Sequence, residues 1–289
     1  MDGLPLGTTY TWLEARARGA TRRQIDLDGV QIARGLYVSR SVAPGLVARC
    51  RAWTRLLPAD AAFGLETAGA LLGAPVDAPS RVQVVLRPRP VLPQRAGLDV
   101  HVRRLHDEDV TEIADLRITS GAQTFLDLAA RLTSAELVAV GDALMRRGHL
   151  TKPQLDERLA RAGRLRGVVR ARACGPLLSP LSMSRPESLM RFWVVEAGLP
   201  LPRIQVPIMD RWGREVVHAD LGYEEWKVAL EYEGRQHAEA KQFGQDVDRY
   251  SLMAADGWLT LRFAARHLGG PAVVVDRTRR ALLSRGWRP

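Results

Sequence analysis

The sequence predicts a multidomain α/β protein, and three observations carry that expectation. One is a C-terminal stretch that alternates like a half-buried strand, with Val228, Leu230 and Tyr232 on one face and Lys227, Glu231 and Glu233 on the other. Another is a helix, turn, basic helix and hairpin pattern near the N-terminus. The third is size: 289 residues with 46% apolar content exceed one minimal domain and can fill real cores. The expected divisions are residues 1–55, 56–175 and 176–289.

In the first division, Thr9 to Gly19 reads as a short helix with Trp12 and Leu13. Thr21 can cap a second helix that contains Arg22, Arg23 and Ile25. Asp28-Gly29 then turns the chain into strands from Val30 to Val38, kinked at Gly35. Together these make the outline of a winged helix-turn-helix, in which Arg22 and Arg23 would meet phosphates. The run Ala15…Gly19…Arg34-Gly-Leu-Tyr37-Val is similar to the N-terminal domain of AbiEi-like type IV antitoxins.

The middle division reads as mixed α/β. Helices are expected over Pro44 to Leu57 and Leu65 to Leu72, and strands over Val82–Leu86 and Leu98–Val102 with a proline-rich link between them. Leu116-Arg-Ile-Thr leads into a helix through Gln123 and Asp127. Thr133 to Glu136 forms a capping box that opens another helix, and Thr151 to Gln154 opens a third. The run from Thr119 to Ala129 also resembles the AbiEi-type middle domain, with Gln123 where that pattern has Arg. Leu165 to Pro180, rich in Arg, Gly and Pro, reads as a linker.

The last division carries the chemistry. Asp220 lies near the end of an apolar run, Val216-Val217-His218-Ala219, so two adjacent strands can bring Asp220 and Glu231 to one divalent ion. Oxygen ligands on hard elements, with a cation and an imidazole nearby, suit Mg²⁺ or Mn²⁺ and phosphodiester cleavage. From spacing alone, the same face also reads as the solvated side of a sheet. Glu187 with Arg191 reads equally as a helical ion pair, and His237 as a turn residue. Asp246 and Arg249 read as a structural pair, and His218 as a minor neighbour of Asp220.

Asp220, followed after ten residues by Glu231-x-Glu233-Gly-x-x-His237, resembles the PD-(D/E)xK nuclease superfamily. Within it, the chain looks like a branch of uncharacterised proteins related to the very-short-patch mismatch-repair endonuclease. Asp246-Val-Asp-Arg249, Gly257-Trp258 and Arg262-Phe263 follow in the order of that branch, and Pro186-Glu187-Ser188, Arg191, Gly198-Leu-Pro and Gln205 precede them. The match spans about residues 179–285. It implies a restriction-endonuclease-like three-layer α/β domain. It also implies that Asp220, Glu231 and Glu187 hold the metal, with Glu233 and His237 among the catalytic groups and Arg262 toward nucleic acid. The chain departs from the superfamily where the lysine belongs, two after Glu231, because Glu233 stands there. Lys227, on the same strand face, is the candidate substitute.

Charge adds a partner class. The net charge is +10, and residues 1–55 hold nine arginines against four acids, a balance that favours a polyanion. Lysines number three (Lys152, Lys227, Lys241) against 39 arginines. No window approaches the ~18 apolar residues of a membrane span, and the start lacks the basic and apolar regions of a signal peptide. Cys50 and Cys174, far apart in sequence, fit a reducing cytoplasm. The leading expectation is a cytoplasmic metal-dependent DNA endonuclease or nickase, in repair or defence. The other is a DNA-binding regulator or type IV antitoxin-like protein with an inactive nuclease fold, working beside a toxin or repair partner protein.

Overall fold

The computed structural model describes residues 6–209, 212–234 and 250–289. By its internal contacts the chain divides into two compact units. One comprises Met1–Arg131 with Arg147–Arg172, the other Leu132–Arg146 with Ala173–Pro289. The divisions therefore fall differently from 1–55, 56–175 and 176–289. One boundary between the units falls between Arg172 and Ala173.

In the first unit, β1 (Thr9–Thr11), α1 (Trp12–Ala17), α2 (Arg22–Asp28), β2 (Gly29–Ala33) and β3 (Leu36–Ser39) follow one another, and the strands form an antiparallel sheet in the order β1-β3-β2. The first helix is shorter than expected, because Thr9 to Thr11 are spent pairing with Leu36 to Val38. Thr11 and Thr21 each cap their helix, reciprocated by Glu14 and Gln24. Gly29 is required by contact: a Cβ there would lie 2.4 Å from the Tyr10 hydroxyl, which donates to Asp28 at 2.7 Å.

The same unit continues through α3 (Leu46–Thr54), β4 (Ala62–Phe63), α4 (Leu65–Leu71), β5 (Val82–Leu86), β6 (Leu98–Val102), β7 (Val110–Ile113), β8 (Leu116–Thr119) and α5 (Gly121–Leu128). These five strands form one sheet, β6-β5-β4-β8-β7. Its core joins Val82, Val84 and Ile118 to Leu36 and Val38 of the N-terminal hairpin and to Trp53 of α3. Residues on both sides of position 55 thus share one core. α6 (Ser134–Arg146) belongs to the second unit, whereas α7 (Lys152–Ala160) returns to the first. Residues 165–180 are not an open linker, since they hold α8 (Val168–Cys174) and a short 3-10 turn, Gly175–Leu177.

The second unit is built from α6, α9 (Arg185–Glu196), β9 (Arg203–Met209), β10 (Glu215–Tyr223), β11 (Val228–Glu233), a helical stretch at 250–255 (α10), β12 (Leu259–Ala264) and α11 (Ala272–Ser284). The sheet order is β12-β11-β10-β9, with β9, β10 and β11 antiparallel and β12 parallel to β11. One face packs Leu221, Leu230 and Phe263 under Met190 and Val194 of α9 and Val274 and Leu282 of α11. On the other, Val206, Ile208, Ala219 and Ala229 pack under Met253 of α10. Adjacent residues of β11, Ala229 and Leu230, reach opposite cores, as strand alternation demands.

Alternation fails at one place in β9. Ile204 joins the α9 side, while Val206, two residues on, joins the α10 side. Gln205 between them has φ of 51°, a left-handed conformation costly for a residue with a Cβ. Facing it across the strand pair, Ala219 and Leu221 also divide between the two cores, with Asp220 between them. This irregularity positions the candidate site.

Candidate active site

β10 and β11 pair only through Leu221, Gly222 and Tyr223. Beyond Leu221 the register ends, and the Asp220 carboxylate takes over a ladder role: its Oδ2 accepts the Tyr232 backbone N–H at 2.8 Å. Asp220 is thereby fixed beside the residue that follows Glu231. Glu231 itself is buried, 3% exposed, on the strand face that carries Ala229 toward α10. A carboxylate so enclosed is costly unless charge or hydrogen bonds meet it.

Glu187 approaches from the first turn of α9, also buried. Its Oε2 accepts the Met183 N–H at 2.8 Å and the Gln205 side-chain amide at 3.2 Å, while Ser184 caps the helix through the Glu187 N–H. The strained Gln205 thus spends its irregular backbone on aiming an amide at Glu187. Burial pushes the Glu187 carboxyl above its ordinary range, and the Asp220 charge adds to the push. Repulsion between a buried acid and a half-buried one is what a bound cation relieves.

Glu233 is held on the α10 side. Its Oε1 accepts the Tyr250 hydroxyl at 2.6 Å and is ion-paired with Arg262. The Arg262 guanidinium also lies over the Tyr250 ring, 4.2 Å from its centroid. Tyr250 is raised well above the usual phenol range, by burial first and by Glu233 next. Arg262 pairs in register with Glu231 across β11 and β12. Among the described residues, it is a cation brought to the carboxylate strand. Tyr250 was missed by sequence reading; its signal was its position, directly after the Asp246-x-x-Arg249 run.

Lys227 is not brought there. It precedes β11 with φ of 49°, so the strand begins at Val228 rather than at Lys227. Its Nζ donates to the Asp256 carbonyl at 2.8 Å, and its own carbonyl accepts the Leu259 N–H. Four strand positions separate it from Glu231, roughly 13 Å along the strand. Arg191, expected as the i+4 partner of Glu187, instead pairs with the buried Asp142 of α6 at 2.7 Å. His218 pairs with Glu215 at 3.2 Å. His237, Asp246 and Arg249 lie outside the described residues.

In donor chemistry the acids fit the hard cations expected: Asp220, Glu231 and Glu187 offer only oxygen. Asp220 is tied to the backbone beside Glu231, and Gln205 to Glu187; these three acids make up what is called the acidic seam below. Among the described residues, no group of three or more His, Cys, Asp or Glu is set to hold a metal ion. In the first unit, Arg22 and Arg23 are both exposed at the start of α2, with Arg22 3.7 Å from Asp26. Neither Cys50 nor Cys174 forms a disulfide. Among the described residues, no helix is long and apolar enough to cross a membrane.

No family model matches the chain. It is similar to two uncharacterised proteins, Rv2248 and MT2308, from two strains of Mycobacterium tuberculosis. Each is 27% identical over 269 residues, which are 90% of this chain and 92% of the relative. Among solved structures, the chain is similar to the RV2827C protein from Mycobacterium tuberculosis, with a TM-score of 0.44 and 16% identity over 69% of this chain and 79% of that one. What the structure defines by itself is a mixed α/β chain with three sheets among the described residues.

Proposed function

We propose that this chain is a metal-dependent DNA endonuclease or nickase whose site is the acidic seam of the second unit. One observation carries the reading: where β10 and β11 part, the Asp220 carboxylate is locked to the Tyr232 N–H beside the buried Glu231. Asp220 and Glu231 would hold Mg²⁺ or Mn²⁺, with Glu187 as a third oxygen donor. Such an ion neutralises phosphate charge and lowers the pKa of a bound water. Arg262, in place of the absent lysine, would pair with the phosphate and stabilise charge as the bond breaks. Glu233 and Tyr250 hold that guanidinium in place until substrate competes for it. The three-layer packing of the second unit supports the same reading, as does the exposed basic start of α2 as a DNA contact.

The experiment is direct. Purified protein is incubated with supercoiled, nicked, mismatched and single-stranded DNA, with Mg²⁺, Mn²⁺ or EDTA. Cleavage that requires the metal and disappears in Asp220→Asn and Glu231→Gln supports the enzyme. Absence of cleavage on every substrate removes it.

A second reading is favoured by a specific observation: Arg262, the cation beside the carboxylates, is already engaged by Glu233 and Tyr250. On that reading the fold is kept for binding, and the chain is a DNA-binding regulator with Arg22 and Arg23 toward DNA and a toxin or repair protein as partner.

A further inference from the structure

The first unit contains a half-open cavity of about 670 Å³, remote in sequence from the acidic seam. That size lies within the range of small-molecule sites. Part of its wall comes from the Thr119 to Ala129 run, which the nuclease reading leaves unused: Leu126 and Asp127 both face it. Asp127 is buried, and its Oδ1 lies 3.5 Å from Arg103. Glu66 and Arg131 line the cavity as a second ion pair. Each acid is thus matched by one arginine. Arg166, exposed at the rim, adds a third guanidinium that tips the lining positive.

His101 also lines the cavity, and its imidazole is held below the ordinary value, by burial first and then by Arg103 and Arg131. Asp127 and Asp99 pull the other way and do not prevail. Apolar surface completes the walls through Leu65, Leu126 and Leu165. Leu65 holds a left-handed backbone, φ 52°, of the kind that collects at ligand sites. Guanidinium groups above an apolar wall suit a phosphate on a flat organic body.

We propose that this cavity is a binding site for a mononucleotide, its phosphate on Arg166, Arg103 and Arg131 and its base against Leu65, Leu126 and Leu165. This does not rest on the nuclease reading.

Isothermal titration of the full chain with AMP, GMP, the parent nucleosides, inorganic phosphate and a 5′-phosphorylated oligonucleotide tests it. The expected result is saturable binding of a mononucleotide, with at least about tenfold weaker binding of nucleoside and of inorganic phosphate. Arg166→Ala and Arg103→Gln should each weaken it by about tenfold, with melting temperatures recorded to show that the variants are folded. Arg166 is exposed, so its variant tests the site without disturbing the core. No saturable binding, equal binding of inorganic phosphate, tighter binding of the oligonucleotide, or wild-type affinity in folded Arg166→Ala would each overturn the proposal.

Discussion

Asp220 accepts the backbone N–H of Tyr232 at 2.8 Å, at the point where β10 and β11 cease to pair. One carboxylate oxygen thus does the work of a missing strand carbonyl. The contact ties an acid on one strand to the backbone of the next and fixes its distance from Glu231 irrespective of any ligand. A residue with both a structural and a proposed catalytic duty needs variants that separate them.

Asp220→Asn retains an oxygen for the Tyr232 N–H but loses the charge. Asp220→Ala loses both, and leaving a backbone donor unmet costs about 1–3 kcal/mol. The expected outcome is an Asn variant that unfolds in urea close to wild type, and an Ala variant with a lower midpoint. DNA cleavage should be abolished in both. Because removing an anion reduces repulsion of phosphate, DNA affinity of the Asn variant should be unchanged or improved. Should Asn retain cleavage, Asp220 is a strand clip and nothing more.

How much of this was legible in the sequence follows from the range of each interaction. The alternation of Val228, Leu230 and Tyr232 against Glu231 and Glu233 is local, and the strand forms over those residues. Caps at Thr21 and Thr151 are local too, and both are present. Lys227 was misjudged because parity assigns a face but not the residue at which a strand begins. Gln205 could not be seen as the flip point, since a left-handed residue with a Cβ carries no composition signal. The partners of Arg191 and Glu233 depend on Asp142, 49 residues upstream, and on Arg262, 29 downstream. Spacing within one element says nothing about such pairs.

Arg262 and Lys227 make opposite predictions. Arg262→Gln removes an ion pair that is half exposed and a cation–π contact, together worth no more than about 1–2 kcal/mol. If Arg262 supplies charge to the phosphate, cleavage should fall by about a hundredfold while the fold persists. Arg262→Lys should recover part of it. Lys227→Met should leave cleavage rates at wild-type level, since its ammonium is spent on the Asp256 carbonyl. The readout is initial cleavage rate at saturating metal, with thermal melting alongside. A Lys227 variant without activity would restore the sequence-based assignment.

At the other unit, Arg22→Ala with Arg23→Ala should weaken DNA binding and flatten its salt dependence. Each lost phosphate contact lowers the slope of log affinity against log salt by about one. Arg22 already has Asp26 at 3.7 Å, so its single variant should cost less than that of Arg23. Fluorescence anisotropy over a salt series gives the slope. An unchanged slope would make this surface a protein-docking module.

Glu187 gives a pH signature. Its carboxyl is raised above the ordinary value of 4.5, first by burial and then by Asp220. A carboxyl whose folded pKa exceeds the unfolded one binds its proton more tightly when native. Its contribution to stability is therefore fully present below the unfolded value and is lost as pH rises through the folded one. Glu187→Gln keeps an oxygen for the Met183 N–H and removes that titration. The variant should therefore gain on wild type as pH rises above about 4.5, and the gap should level off once Glu187 is ionised. Melting temperatures of both proteins across this range give the comparison. Adding Mn²⁺ above that range should narrow the gap by stabilising wild type more than the variant, because the cation offsets the cost of the buried charge. A gap that ignores both pH and Mn²⁺ would mean that Glu187 is a neutral helix cap with no part in the seam.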